Sequence, residues 1–94
     1  MATQVRASHI LVMNEAHCKE LMEKLRNGAN FEELAMQFSK CPSGKKAGGD
    51  LGFFGKGKMI PQFENTAFKL KTGEIAGPVK TQFGYHIIKK TGEK

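Results

Sequence analysis

Between Cys41 and Phe63 the chain reads CPSGKKAGGDLGFFGKGKMIPQF. Gly44, Gly48, Gly49, Gly52, Gly55 and Gly57 stand there among apolar residues too few and too scattered to build a core element. Glycine supplies backbone angles that other residues avoid and lets one segment approach another closely, at an entropic cost. A segment that accepts this cost while carrying Leu51, Phe53, Phe54, Met59 and Phe63 reads as the lining of a pocket. The same composition also suits a connecting loop with a buried strand in it, because loops carry function but most only connect.

The flanking segments must supply the core. Val5 to Val12 (VRASHILV) is rich in β-formers, and alternation places Ala7, His9 and Leu11 on one face, Ile10 and Val12 on the other. Both faces are largely apolar, which predicts a central strand covered on both sides with His9 pointing inward. Asn14 is a good N-cap, and Cys18, Leu21, Met22 and Leu25 follow at helical spacing up to Gly28. Asn30 caps a second helix with Glu33 three residues on, its stripe being Phe31, Leu34, Ala35 and Phe38, and Pro42 bars continuation. A two- or three-residue turn between these helices is expected. Leu51 to Phe54 suits a short strand. Pro61 opens a third helix with Ile60, Phe63, Ala67 and Leu70 inward, and Gly73 is expected to end it. Ala76–Lys80 and Tyr85–Lys90 then read as a hairpin around Thr81–Gly84, with Pro78 keeping the first of them at an edge.

The order β-α-α-β-α-β-β predicts an α+β fold with a mixed or antiparallel sheet and helices around it. Ninety-four residues support one modest core, so residues 1–94 are expected to form a single domain. With 39% hydrophobic and 26% charged residues the composition is that of a soluble globular protein. No apolar run approaches the ~20 residues of a membrane span, and MATQVRASHILV lacks the basic-then-apolar layout of a signal peptide. The expectation is a cytoplasmic monomer. Cys18 and Cys41 show no paired spacing and are expected to be reduced thiols.

A net charge of +6 suits nucleic acid or an anionic surface. However, the lysines are spread along the chain, Arg6 and Arg26 are the only arginines, and few aromatics interleave with the charges. A solvated basic surface is the expectation, with no specific nucleic-acid partner; contact with anionic surfaces stays open.

Easy catalytic motifs fail. Gly52–Lys58 approaches a phosphate-loop pattern, but Met59 stands where Ser or Thr is required and no parallel β-α unit surrounds it. His9, His17, His86, Cys18 and Cys41 lack metal-ligand spacing, so neither metal nor other cofactor is expected. What remains is His9 and His86, one near each end of the chain. If the first and last strands are neighbours, the two can hydrogen-bond each other beside Cys41 and Thr81. A strand histidine can equally be a satisfied buried polar group. By residue chemistry alone the reaction stays open.

Several blocks together resemble the parvulin family of peptidyl-prolyl cis/trans isomerases: HILV at 9–12, FSKCPSGKKAGGDLGFFGKGKM at 38–59, PQFENTAF at 61–68 and TGEIAGPVKTQFGYHIIK at 72–89. The likeness runs from about residue 4 to 91 and is most similar to the minimal prokaryotic members. It implies a four-stranded antiparallel sheet, first and last strands central, surrounded by helices as in the parvulin/FKBP-like fold. It also implies that His9 and His86 face each other in the active site, that Cys41 stands where the family has Cys or Asp, and that the Thr81 hydroxyl bonds the histidine pair. Leu51, Met59 and Phe63 would then grip the proline ring, with Phe54 at the rim. Met59 and Phe63 are expected to stay partly accessible, and Leu21 and Phe38 to be core.

The resemblance implies non-covalent isomerisation of X–Pro bonds in proline-containing peptides and in unfolded or folding proteins. The alternative is a non-catalytic proline-peptide-binding or chaperone module. Phosphate-directed parvulins carry a long basic loop after the first strand; here Val12-Met13-Asn14-Glu15 passes directly into the helix, which implies unphosphorylated substrates.

Overall fold

The computed structural model describes residues 3–41 and 47–94. Pro42, named above as a helix stop, lies outside them. The described elements are β1 (Gln4–Val12), α1 (Glu15–Arg26), α2 (Phe31–Phe38), β2 (Asp50–Gly55), α3 (Pro61–Lys69), β3 (Ile75–Thr81) and β4 (Gly84–Glu93). The four strands form one antiparallel sheet in the order β2-β1-β4-β3. First and last strands are therefore central, as the resemblance implies. β3, with Pro78 in it, lies at an edge, where a missing N–H costs no ladder bond.

Alternation along β1 and β4 sorts two cores. Ile10, Val12 and Ile87 pack with Cys18 and Leu21 of α1 and Phe31, Leu34 and Ala35 of α2. Val5, Ala7 and Ile88 pack on the other face with Phe54 of β2 and Phe63 and Ala67 of α3. Burial in the first core pushes the Cys18 thiol up to about 11, with Glu15 nearby adding to it, so Cys18 stays protonated at neutral pH. The helix starts follow the sequence. Asn14 Oδ1 accepts from His17 N–H at 3.1 Å, and Asn30 Oδ1 from Glu33 N–H at 2.9 Å.

Two boundaries and the burial of one residue differ from expectation. The α1–α2 connection is four residues, 27–30, because Asn27 and Ala29 still donate back to the last α1 carbonyls. α3 stops at Lys69 with Leu70 extended, and Gly73 belongs to the next turn, donating to the Lys90 carbonyl at 2.7 Å. Phe38 is half-buried rather than core: it meets His17 edge-on at 5.3 Å, with the Lys24 ammonium 5.6 Å from its ring centre. α2 ends there because Ser39 turns extended and is drawn under β1. Its fully buried Oγ accepts from Leu11 N–H at 3.1 Å, while Lys40 N–H donates to the Leu11 carbonyl at 2.7 Å.

Candidate active site

In the β1–β4 register His9 stands opposite Ile88 and His86 opposite Leu11, so the two histidines are diagonal neighbours on the α3 face. Their Nδ1 atoms lie 3.0 Å apart and their rings are nearly parallel, 15° between planes. On the far side, His86 Nε2 is 2.8 Å from Thr81 Oγ1, which also accepts the Phe83 N–H at 3.1 Å. All three side chains are buried: His9 5%, His86 4% and Thr81 6% exposed. An Nδ1···Nδ1 contact of this length holds one proton, so the chain of bonds runs either from Thr81 towards His9 or back. A second proton at that contact would set two N–H groups against each other.

Burial lowers the His9 pKa to about 4, the neighbouring His86 adding to it, and burial lowers that of His86 as well. The pair is neutral at pH 7. For a base with a depressed folded pKa the unfolded state takes the proton first, so the neutral pair's contribution is complete above pH 6.5 and is lost as pH falls towards 4. The displacement from 6.5 to about 4 sets its size at roughly 3 kcal/mol. Urea midpoints measured from pH 7.5 to 4 should decline across this window in the wild type and less in His9→Gln; equal declines would contradict the assignment.

A pocket of about 480 Å³ opens over the pair. Leu51, Met59 and Phe63 line it with His9, His86 and Cys41, and so do Leu11, Ile60 and Phe83. Among the described residues, Lys40 and Lys58 also line it, both exposed. Phe63 sets its ring edge against both histidines, at 5.4 and 5.5 Å between centres. It is only 3% exposed, against the expectation of an accessible side chain, because the pocket wall is also the lid of the second core. Met59 is half-buried, as expected.

Phe54, placed at the rim by the sequence reading, is not in the pocket. It is 5% exposed and packs behind Phe63, 6.1 Å between centres, and against Phe68. Strict alternation would put Leu51 and Phe54 on opposite faces. The irregularity in pairing between Arg6 and Ser8, with Gly52 at φ +71°, lets both face α3 at different depths. Asp50 fixes this kink: its carboxylate accepts from Gly52 N–H at 3.0 Å and pairs with Arg6, which holds the carboxyl below its usual range.

Leu11 shares His9's face by parity and was legible as such. Ile60 read only as part of a helix stripe. Phe83 gave one signal, a large aromatic in an exposed turn. Among the described residues no cluster of three or more His, Cys, Asp or Glu could hold a metal ion, and no helix is long and apolar enough to cross a membrane.

A central antiparallel strand pair carrying two facing histidines beneath an apolar pocket is the arrangement that the resemblance to the parvulin class implies. The model of the PPIC-type PPIase domain matches residues 1–94, and the chain belongs to that family. Foldase protein PrsA 1 of Bacillus cereus is 54% identical over 91 residues, covering 97% of this chain and 32% of the foldase. The crystal structure of peptidylprolyl isomerase (PrsA) from Bacillus anthracis superimposes with a TM-score of 0.96 at 53% identity, over 99% of this chain and 43% of that one. NmPin, the parvulin of Nitrosopumilus maritimus, gives 0.88 at 43% identity, over 98% of this chain and 99% of its own. This chain thus spans about a third of the length of the curated foldases it matches and nearly all of a single-domain parvulin.

Proposed function

We propose that the chain isomerises X–Pro bonds of unphosphorylated peptides and folding proteins without a covalent intermediate, and that His9, His86, Thr81 and Cys41 with Leu51, Met59 and Phe63 are the residues that do so. The observation that carries this reading is the apolar pocket ending on a buried, uncharged histidine pair. Rotation about an X–Pro bond faces a barrier of ~18–20 kcal/mol although cis and trans differ by only about 0.5–1 kcal/mol. No bond is made or broken, so the site has only to bind the twisted amide better than the planar one. Twisting ends amide resonance and leaves a less polar group. An apolar slot that holds the ring and strips water from the amide therefore favours the twisted form. The His9–His86–Thr81 chain supplies fixed dipoles that need no reorganisation during the turn. A proline-peptide isomerisation assay tests the reading: binding without turnover would make the chain a peptide-holding module instead.

Cys41 lines the pocket and invites a nucleophilic role. We assign it a polar, orienting one, since the family accepts Asp at this position. Cys41→Asp is expected to keep turnover within about tenfold of wild type, ~1.4 kcal/mol of barrier. A dead but folded Cys41→Asp, together with a peptide adduct seen by mass spectrometry on the wild type, would favour the nucleophile.

Phosphopeptide selectivity is not expected. α1 begins at Glu15, two residues after Met13, which leaves no loop to present a bidentate arginine. Lys40 and Lys58 are exposed, and exposed lysines contribute little and are screened by salt. Across peptides with X as Leu, Glu, Ser and phosphoserine, phosphoserine should not exceed Glu by a hundredfold, ~2.7 kcal/mol.

A cytoplasmic, monomeric state belongs to the same proposal. Its support is that Cys18 and Cys41 carry thiols rather than a disulfide, and that, apart from Met13 and Phe83 on the pocket side, the exposed large hydrophobics Met36, Phe53 and Ile75 sit on three different elements. Sedimentation at micromolar concentration tests the monomer.

A further inference from the structure

We propose that Arg6 and Asp50, on the sheet face turned away from the pocket, are positioning residues for isomerisation: their clasp fixes the β2 bulge that sets Leu51 and His9. This rests on the isomerase reading. Between the pairs Arg6↔Phe53 and Ser8↔Asp50, β1 advances two residues while β2 advances three. The extra residue makes a bulge, with Gly52 at φ +71°. Asp50 Oδ1 accepts the Gly52 N–H at 3.0 Å. Arg6 grips both carboxylate oxygens, Nε donating to Oδ1 at 3.1 Å and Nη2 to Oδ2 at 2.6 Å. Such a fork fixes the orientation of a carboxylate, which a single ammonium does not. The clasp therefore joins β1 to β2 at the point where their ladder is irregular.

The effect reaches the pocket through the two neighbours of Asp50. The Gly49 carbonyl accepts the His9 N–H at 3.0 Å, and Leu51 lines the pocket beside His9. A rotation of the backbone at Asp50 thus moves the support of one histidine and one wall of the proline slot together. Arg6 and Asp50 themselves line a separate cleft of about 240 Å³, shared with Ser8, Thr91 and Glu32 of α2. Both side chains keep contact with water, 48% exposed for Arg6 and 29% for Asp50. An ion pair so exposed adds little to global stability. What it does is select one geometry for a bulge that the ladder alone leaves under-determined. Turnover that depends on a slot and a histidine pair held in register is sensitive to that selection.

Arg6→Gln, Asp50→Asn, Asp50→Ala and the double variant Arg6→Gln, Asp50→Ala test this, with kcat/KM on a proline peptide, histidine side-chain NMR and denaturant midpoints measured for each. The control is Arg26→Gln, which breaks the exposed Arg26–Glu23 pair within α1. Asp50→Ala loses both the fork and the Gly52 bond. It should lower kcat/KM at least fivefold per folded molecule and move the His9 and His86 ring signals. Asp50→Asn keeps an oxygen for Gly52 and should fall between Asp50→Ala and wild type. The double variant should be no worse than Asp50→Ala, because Arg6 acts only through Asp50. Arg26→Gln should stay within twofold of wild type with its ring signals unmoved. Where Asp50→Ala does not fold, Asp50→Asn takes its place, with a threefold loss expected. A smaller loss in the folded variant, or a loss without movement of the ring signals, overturns the proposal. So do additive losses in the double variant, or an equal loss in Arg26→Gln. Failure of the isomerase reading looks different: the wild type would turn over no peptide, while the ring signals still report whether the clasp places the histidines.

Discussion

Phe63→Ala should abolish most turnover and also destabilise the fold by roughly 3–5 kcal/mol. Both losses come from one side chain. Phe63 is 3% exposed, packs on Phe54 in the second core, and meets His9 and His86 edge-on. Its removal leaves a cavity that opens directly into the pocket, so the floor of the proline slot and the support of the histidine rings go together. Met59→Ala separates the two effects. Met59 is only half-buried, so its loss should cost the fold less than about 1.5 kcal/mol while still removing one wall of the slot. Denaturant midpoints, with kcat/KM measured where each variant is fully folded, give the comparison. Phe63→Ala turning over a proline peptide at near wild-type rate would mean the slot lies elsewhere.

The element order and the sheet were legible because β1 and β4 carry apolar residues of both parities, which marks strands buried on two faces. The histidine pairing was legible only through topology. Nothing local says that His9 and His86 touch; it follows once the first and last strands are neighbours. The depth of Phe63 and the placement of Phe54 were not legible. The placement of Phe54 depends on the kink at Gly52, where the side-chain period of two breaks, and a period argument cannot see its own interruption. The wall of the pocket also turned out to be the lid of a core, so Phe63, read as lining, is buried. Ser39 was passed over because a serine at a helix end usually faces water. Here it is fully buried and ties β1 to the approach to Cys41, accepting also from Cys41 N–H at 3.4 Å.

The second large effect is expected at a residue with no side chain. Gly49 has φ +90°, and its carbonyl accepts the His9 N–H at 3.0 Å. A Cβ there would stand 2.4 Å from the His9 carbonyl oxygen and 3.2 Å from its nitrogen, so backbone rather than a flexible side chain is in the way. Gly49→Ala therefore carries two penalties. The left-handed backbone costs an L-residue about 1–2 kcal/mol. The collision adds to this by pushing β1 away at His9, and with it the Nδ1 that must stay in contact with His86. Gly52→Ala is the control: its φ is +71°, but nothing lies within 4 Å of the added carbon, so only the backbone penalty applies. Gly52→Ala should lose about 1–2 kcal/mol of stability and keep most turnover per folded molecule. Gly49→Ala should lose clearly more stability and at least a hundredfold in kcat/KM, ~2.7 kcal/mol, through displacement of a histidine it does not replace. Histidine side-chain NMR shifts report that displacement directly. Equal losses at the two glycines, with unchanged histidine signals in Gly49→Ala, would show that close approach at Gly49 does not set the position of His9.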